Sequence, residues 1–162
     1  MEPENRLTCV DKKGCSFEVG VCCIEDFSCL LDMYELFSLR PVSQGLPPAS
    51  PEALRNWIQG LLETGTNILA WRDDRVVGHA ALTPDYVKGD CEFLIFVDPS
   101  CRNQGIGAEL TRLALEQVKK LNLKLVWLTV EVYNFRAIKL YKKFQFEFCD
   151  RGECERTMLL KL

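Results

Sequence analysis

The sequence predicts a single α/β domain built on a mixed β-sheet. Three features point there. Strand-like alternating runs bounded by turn residues occur at both ends of the chain, and four stretches carry apolar residues at helical spacing. One strand-like run, "CEFLIFV", passes through "DPSCRNQGIG" directly into a helix. With 162 residues and 48% apolar content, the chain is long enough for one well-buried core and short for two ordinary domains.

The elements follow in order. Residues 1–23 read as an N-terminal hairpin, "LTCV" and "CSFEVGVCC" flanking a turn with Gly14. From Asp26, the residues Phe27, Leu30, Leu31, Tyr34 and Phe37 or Leu39 recur at helical spacing. The proline-rich "RPVSQGLPPAS" is a connecting loop, and Ser50-Pro51 supplies an N-cap and a first-turn proline for a second helix. That helix carries Leu54, Trp57, Ile58, Leu61 and Leu62 on one face and ends near Gly65. "NILAWR" and "RVVGHAALT" flank the acidic turn Asp73-Asp74, and "PDYVKGD" links them to "CEFLIFV". From Gly105 to about Leu121, Ile106, Leu110, Leu113, Ala114 and Val118 form a helical stripe. "LKLVWLTVEV" is a strand, Asn134 opens a helix with Ala137, Ile138, Tyr141 and Phe144, and "FEFC" and "CERTMLLKL" close the chain as a hairpin around "DRGE". The order is β-β-α-α-β-β-β-α-β-α-β-β, and the sheet begins as antiparallel hairpins.

Charge and cysteines narrow the function classes. A net charge of -3 gives no positive blanket for nucleic acid and favours cationic or amine-bearing partners. No window approaches the roughly 18 apolar residues that span a bilayer, and "MEPENRLTCV" lacks a signal-peptide pattern, so a cytoplasmic protein without membrane contact is expected. The cysteine count, 9, is odd, and Cys9, Cys15, Cys22, Cys23 and Cys29 lack the paired knuckles of a zinc site. Free thiols and no metal are expected. Cys149 and Cys154 flank "DRGE", where a hairpin would bring them face to face in an oxidised sample.

"IFVDPSCRNQGIGAEL" carries the functional signal. A strand feeding a helix through a glycine turn presents free backbone N–H groups at the positive end of the helix dipole, a site for phosphate. Gly105 and Gly107 permit close approach, and Arg102 adds a forked cation. The stretch is neither GxGxxG nor a nucleotide P-loop. Close helix-on-sheet packing is the competing explanation for the glycines.

Together with "NFRAIKLYKKF", the chain resembles the GNAT acyltransferase family. The pattern Q/R-x-x-G-x-G/A appears as Arg102-Asn103-Gln104-Gly105-Ile106-Gly107 after "VDPS". A second pattern appears as Asn134, Ala137, Leu140-Tyr141 and Phe146, and "ERTMLLKL" fits the family's ending. The resemblance runs from about residue 66 to 162 and more loosely through the first two helices. It implies a mostly antiparallel sheet with a splayed parallel strand pair and about four helices. It also implies acetyl-CoA as co-substrate, with its pyrophosphate on the amides of Asn103, Gln104, Gly105, Ile106, Gly107 and Ala108. The strand ending at Phe96-Val97 would part from "WLTVEV" and take the pantetheine as an added strand. Asn134 would contact the pantetheine arm, and Tyr141 would be the general acid.

Residue spacing adds its own support. Asn134 and Tyr141 lie two helical turns apart, on one face with Ala137 and Ile138. A tyrosine hydroxyl can protonate a departing thiolate; the alternative is a core aromatic. The acceptor amine must lose a proton, and Glu92 resembles the glutamate many relatives use, with Glu131 as second candidate and a solvated strand-end carboxylate as the alternative role for Glu92. Strand alternation puts Glu92 on the face of Leu94 and Phe96. His79 reads as a sheet residue. Cys91 and Cys101 raise an acyl-cysteine route, but neither has a histidine neighbour in sequence to act as its base. Direct attack in a ternary complex is expected.

Two positions depart from the family pattern. Asn103 stands where relatives often have glycine, and Gln145 stands where they usually place glycine before the phenylalanine. The acceptor stays open between a small amine and a peptide: polyamine, amino acid, aminoglycoside, protein lysine or N-terminus. Its side of the site falls on "FSLRPVSQGLPP", "TPDYVKGD" and "FCDRGECE", which carry Arg40, Asp85, Tyr86, Asp90, Asp150 and Glu153. A homodimer is also open. So are a catalytically silent CoA-binding module and a thiol or metal protein built on the N-terminal cysteines.

Overall fold

The computed structural model describes residues 6–36 and 47–162. The readings made for Phe37, Leu39, Arg40 and the first part of the proline-rich connection lie outside the described residues. The chain forms β1 (Leu7–Val10), β2 (Ser16–Val21), α1 (Phe27–Glu35), α2 (Pro51–Thr64), β3 (Thr66–Arg72) and β4 (Arg75–Asp85). It continues through β5 (Asp90–Val97), α3 (Ile106–Lys120), β6 (Leu125–Glu131), α4 (Phe135–Lys143), β7 (Glu147–Phe148) and β8 (Glu155–Lys161). This is the element order expected from periodicity.

The strands make one sheet in the order β1-β2-β3-β4-β5-β6-β8-β7. Only β5 and β6 run parallel; every other neighbouring pair is antiparallel. Alternation along β3 builds both faces. Ile68 and Ala70 join Phe17, Ile106 and Leu110 beneath α3 and α4, while Leu69 and Trp71 join Leu30, Tyr34 and Ile58 beneath α1 and α2. Helices therefore cover the sheet on both sides, and Cys91 and Phe93 of β5 belong to the α3/α4 layer while Phe96 packs into the α1/α2 layer.

Local chemistry explains the joints. The β3–β4 turn places Asp73 (φ 50) and Asp74 (φ 60) in the left-handed region, as a type I′ hairpin requires. The Ser50 hydroxyl caps α2 by accepting the Ala53 N–H at 3.1 Å. Two expectations change. The link after β4 is shorter than read, because Thr83, Pro84 and Asp85 pair with Glu92, Cys91 and Asp90, leaving only residues 86–89 as the turn. At the C-terminal hairpin, β7 pairs Phe148 with Met158 and the Cys149 N–H donates to the Thr157 carbonyl, so Cys149 faces Thr157 and not Cys154. Both thiols are free and exposed.

Candidate active site in the cleft between β5 and β6

The site begins where two strands part. β5 and β6 pair at Asp90↔Leu125, Cys91↔Val126 and Glu92↔Trp127, and then stop pairing, although β5 continues to Val97 and β6 to Glu131. Beyond Glu92 the two strands no longer pair with each other, which leaves room between them for an extended ligand. A cleft of about 1680 Å³ opens there, larger than the ordinary 300–1,000 Å³ of a small-molecule pocket. Its walls include β5 from Glu92 to Val97, Thr129–Glu131 of β6, the loop from Arg102 to Gly105, the start of α3, and one face of α4.

The anionic end of a ligand is served by the start of α3. Gly105 is the N-cap residue at φ 99, and Asn103 at φ 61 takes the same left-handed region that asparagine tolerates. The chain therefore turns sharply into the helix; the Ala108 N–H already donates to the Gly105 carbonyl at 3.1 Å, and the earlier N–H groups, of Ile106 and Gly107, lie at the end of the helix where an anion can meet them. Gly107 is closely approached: a Cβ there would lie 3.3 Å from Leu140 Cδ2 and 3.8 Å from Val97 Cγ2, so any larger side chain would crowd this wall. Gly107 and Ala108 line the cleft beside Arg102, whose Nε donates to the Val97 carbonyl at 3.1 Å.

Two of the expected binding residues can serve only through their backbones. The Ile106 side chain is buried in the core under α3. The Gln104 side chain accepts from Arg72 Nη1 at 2.8 Å and donates to the Ser100 carbonyl at 3.2 Å, so it props the loop from behind. Phe96 likewise turns its ring away from α3, packing edge-on against Tyr34 at 5.6 Å.

The reacting end lies farther along the same cleft. Tyr141 sits on α4 against Phe93, ring centroids 6.3 Å apart, and burial pushes its hydroxyl well above the usual tyrosine range. It remains a proton donor at any ordinary pH. Burial also pushes the Glu92 carboxyl above the usual glutamate range, the direction a general base needs. Both residues line the cleft, as do Glu131 and Asn134. Asn134 caps α4, its Oδ1 accepting the Ala137 N–H at 3.2 Å, which leaves its amide N–H groups to meet a ligand.

The other titratable candidates are committed elsewhere. Asn67 donates through Nδ2 to the Leu61 carbonyl at 2.7 Å, so its Oδ1 accepts from His79 Nε2 at 2.8 Å, and His79 Nδ1 accepts the Tyr34 hydroxyl at 2.5 Å. Burial lowers His79 to about 3, which keeps it neutral in this relay and away from base duty. The Cys91 thiol is buried and pushed up to about 12, so it is no nucleophile. Among the described residues, no group of three His, Cys, Asp or Glu side chains is placed to hold a metal.

The model of the acetyltransferase (GNAT) family matches residues 30–146, well over half of the chain. The chain belongs to the GNAT family. Its sequence is also similar to an uncharacterized N-acetyltransferase of Methanocaldococcus jannaschii, 47% identical over 53 residues that make up 33% of this chain and 24% of that relative's length. The fold matches the GNAT domain of S. lividans PAT with a TM-score of 0.77, at 11% identity over 100% of this chain and 99% of that one. It also matches the PaiA N-acetyltransferase of Thermoplasma acidophilum, solved in complex with coenzyme A, with a TM-score of 0.73 at 21% identity over 91% and 100% of the two chains.

Within this GNAT chain, the departures at Asn103 and Gln145 both keep the left-handed backbone, φ 61 and φ 69. Sequence reasoning missed one wall of the cleft. Lys12, on the turn between β1 and β2, lines it next to Gly105. No local motif marks Lys12, since its approach to the loop is a tertiary contact across some ninety residues of chain. No helix among the described residues is long and apolar enough to cross a membrane.

Proposed function

We propose that this chain transfers an acetyl group from acetyl-CoA to a primary amine by direct attack in a ternary complex. The observation that carries this reading is the end of β5–β6 pairing at Glu92–Trp127, in a cleft that also receives the start of α3. A long ligand with an anionic head and an amide-rich arm fits this arrangement. The phosphates would meet the N–H groups at the start of α3 and Arg102, and the arm would lie along β5 near Phe96 and Val97. Gly107 keeps the cradle open, since a side chain there would intrude toward Leu140 and Val97.

The chain's own groups then move protons. Glu92, with its carboxyl above the usual range, takes a proton from the acceptor ammonium, directly or through water. The amine nitrogen attacks the thioester carbonyl carbon, the C–S bond breaks, and Tyr141 gives its proton to the departing sulfur. The products are an amide and the CoA thiol. Glu92 and Glu131 bring carboxylates to the cleft from β5 and β6, which supports a cationic acceptor, small or peptide-borne.

Thiol release on an acceptor panel of polyamines, amino acids, aminoglycosides and lysine or N-terminal peptides tests this reading. Acetyl-CoA-dependent turnover is expected, with Tyr141→Phe lowering kcat by roughly tenfold to a hundredfold and leaving cofactor affinity nearly unchanged. Binding of acetyl-CoA without thiol release on any acceptor would instead identify a silent binding module.

A further inference from the structure

We propose that Lys12 is a further phosphate-binding residue of the cleft, and that Arg72 is the positioning residue that holds it there. The inference rests on the acetyl-CoA reading above and adds to it a contact from the opposite end of the sequence. Lys12 lies on the β1–β2 turn, and its Cγ would stand 3.9 Å from a Cβ built at Gly105, the N-cap of α3. Its backbone N–H donates to the Gln104 carbonyl at 3.0 Å, which docks the turn on the loop.

The turn is held rigidly. Asp11 Oδ1 accepts the Lys13 and Cys15 N–H groups at 2.7 and 2.9 Å, closing the turn on itself. Asp11 Oδ2 accepts from Arg72 Nη2 at 2.6 Å, and Arg72 Nη1 donates to Gln104 Oε1 at 2.8 Å. One guanidinium thus spans the hairpin turn and the 102–108 loop. The Asp11 side chain is fully buried and that of Arg72 only 18% exposed, so the link is shielded from water and salt.

Charge gives the arrangement its meaning. Asp11 is neutralised by Arg72, whereas Lys12 is exposed and forms no ion pair among the described residues. A lysine held at a helix N-terminus meets the positive end of the dipole, which opposes it. Placing a cation there is unfavourable for the protein alone and becomes favourable once an anion sits between the two. Phosphate esters of CoA are such anions, and two are within the scope of the geometry: the pyrophosphate and the ribose 3′-phosphate.

Calorimetric titration of CoA and of dephospho-CoA, which lacks the 3′-phosphate, tests this on the full chain. Lys12→Ala is expected to raise the CoA Kd by about threefold to tenfold, an effect that shrinks as salt rises to about 0.5 M. Lys13→Ala, one residue along and outside the cleft lining, should leave it unchanged. A loss confined to CoA assigns Lys12 to the 3′-phosphate; an equal loss on both ligands assigns it to the pyrophosphate. Arg72→Gln should raise KM for acetyl-CoA with kcat unchanged, and adding Lys12→Ala to it should have little further effect. Unchanged Kd values for Lys12→Ala on both ligands, with the wild type binding normally, overturn the inference alone. A wild type that binds neither ligand overturns the proposed function with it.

Discussion

Replacing Gln145 by glycine should stabilise this protein, and the size of the gain follows from one helix end. After α4, the Gln145 N–H donates to the Lys142 carbonyl at 3.0 Å and the Phe146 N–H to the Tyr141 carbonyl at 3.1 Å. That is a Schellman ending, completed by contact between the Tyr141 and Phe146 rings at 5.9 Å. It forces residue 145 to φ 69, and the residue there is glutamine. The left-handed conformation costs a side-chain-bearing residue about 1–2 kcal/mol, while glycine costs about 0.5–1 kcal/mol through the freedom it gives the unfolded chain. The balance favours Gln145→Gly by about 0.5–1 kcal/mol. Gln145 is exposed, so little contact is lost.

At about 2–4 °C per kcal/mol for a chain of this size, the melting temperature should rise by about 1–4 °C. Thermal and urea unfolding of wild type, Gln145→Gly and Gln145→Ala measures this, the alanine variant keeping the strained backbone and so gaining nothing. A glycine variant that melts at or below the wild type refutes the reasoning. The same turn seats the Tyr141 carbonyl, so turnover should survive the change.

Glu92→Gln should lower kcat by roughly a hundredfold or more and remove the acidic limb of the pH–rate profile, because the base must be ionised to act. The same change should raise stability at neutral pH. Burial raises the folded-state pKa of Glu92 above its unfolded value, so the folded form is favoured below that range and loses stability as pH rises through the folded pKa. A pH-dependent melt of the two proteins, converging in acid, checks the sign. His79→Ala should cost about 3–5 kcal/mol in urea unfolding, since it opens a cavity and removes the buried partner of the Asn67 carbonyl oxygen.

Much of this architecture is legible in the sequence because it is local. The acidic turn at Asp73-Asp74, the Ser50 and Asn134 caps and the α3 stripe each declare themselves within a few residues, and the structure places them as read. The 102–108 loop is equally local, and its glycines prove to serve both the sharp entry at Gly105 and the close approach at Gly107. What escapes local pattern is decided by tertiary pairing. Strand alternation does not say that Thr83 to Asp85 would pair onward and shorten the following turn, nor that β7 would end at Phe148 and set Cys149 opposite Thr157. The Asp11–Arg72–Gln104 bridge joins residues far apart in the chain, so nothing near Lys12 announces its place beside Gly105. His79 shows the converse case: its sequence context reads as sheet, and only the structure shows the relay that keeps it neutral.

The central claim is that the cleft opened by the parting of β5 and β6 holds acetyl-CoA with its phosphates on the start of α3. Melting curves with and without acetyl-CoA, for the wild type and for Gly107→Trp, test it most directly. At a hundredfold excess over Kd, a ligand bound only by the folded state adds about 2.7 kcal/mol, so the wild type should melt about 5–11 °C higher. Gly107→Trp, which drives a ring toward Leu140 and Val97 and across the phosphate cradle, should show no shift. A wild type that does not respond to saturating acetyl-CoA, or a Gly107→Trp variant that responds equally, would contradict the account.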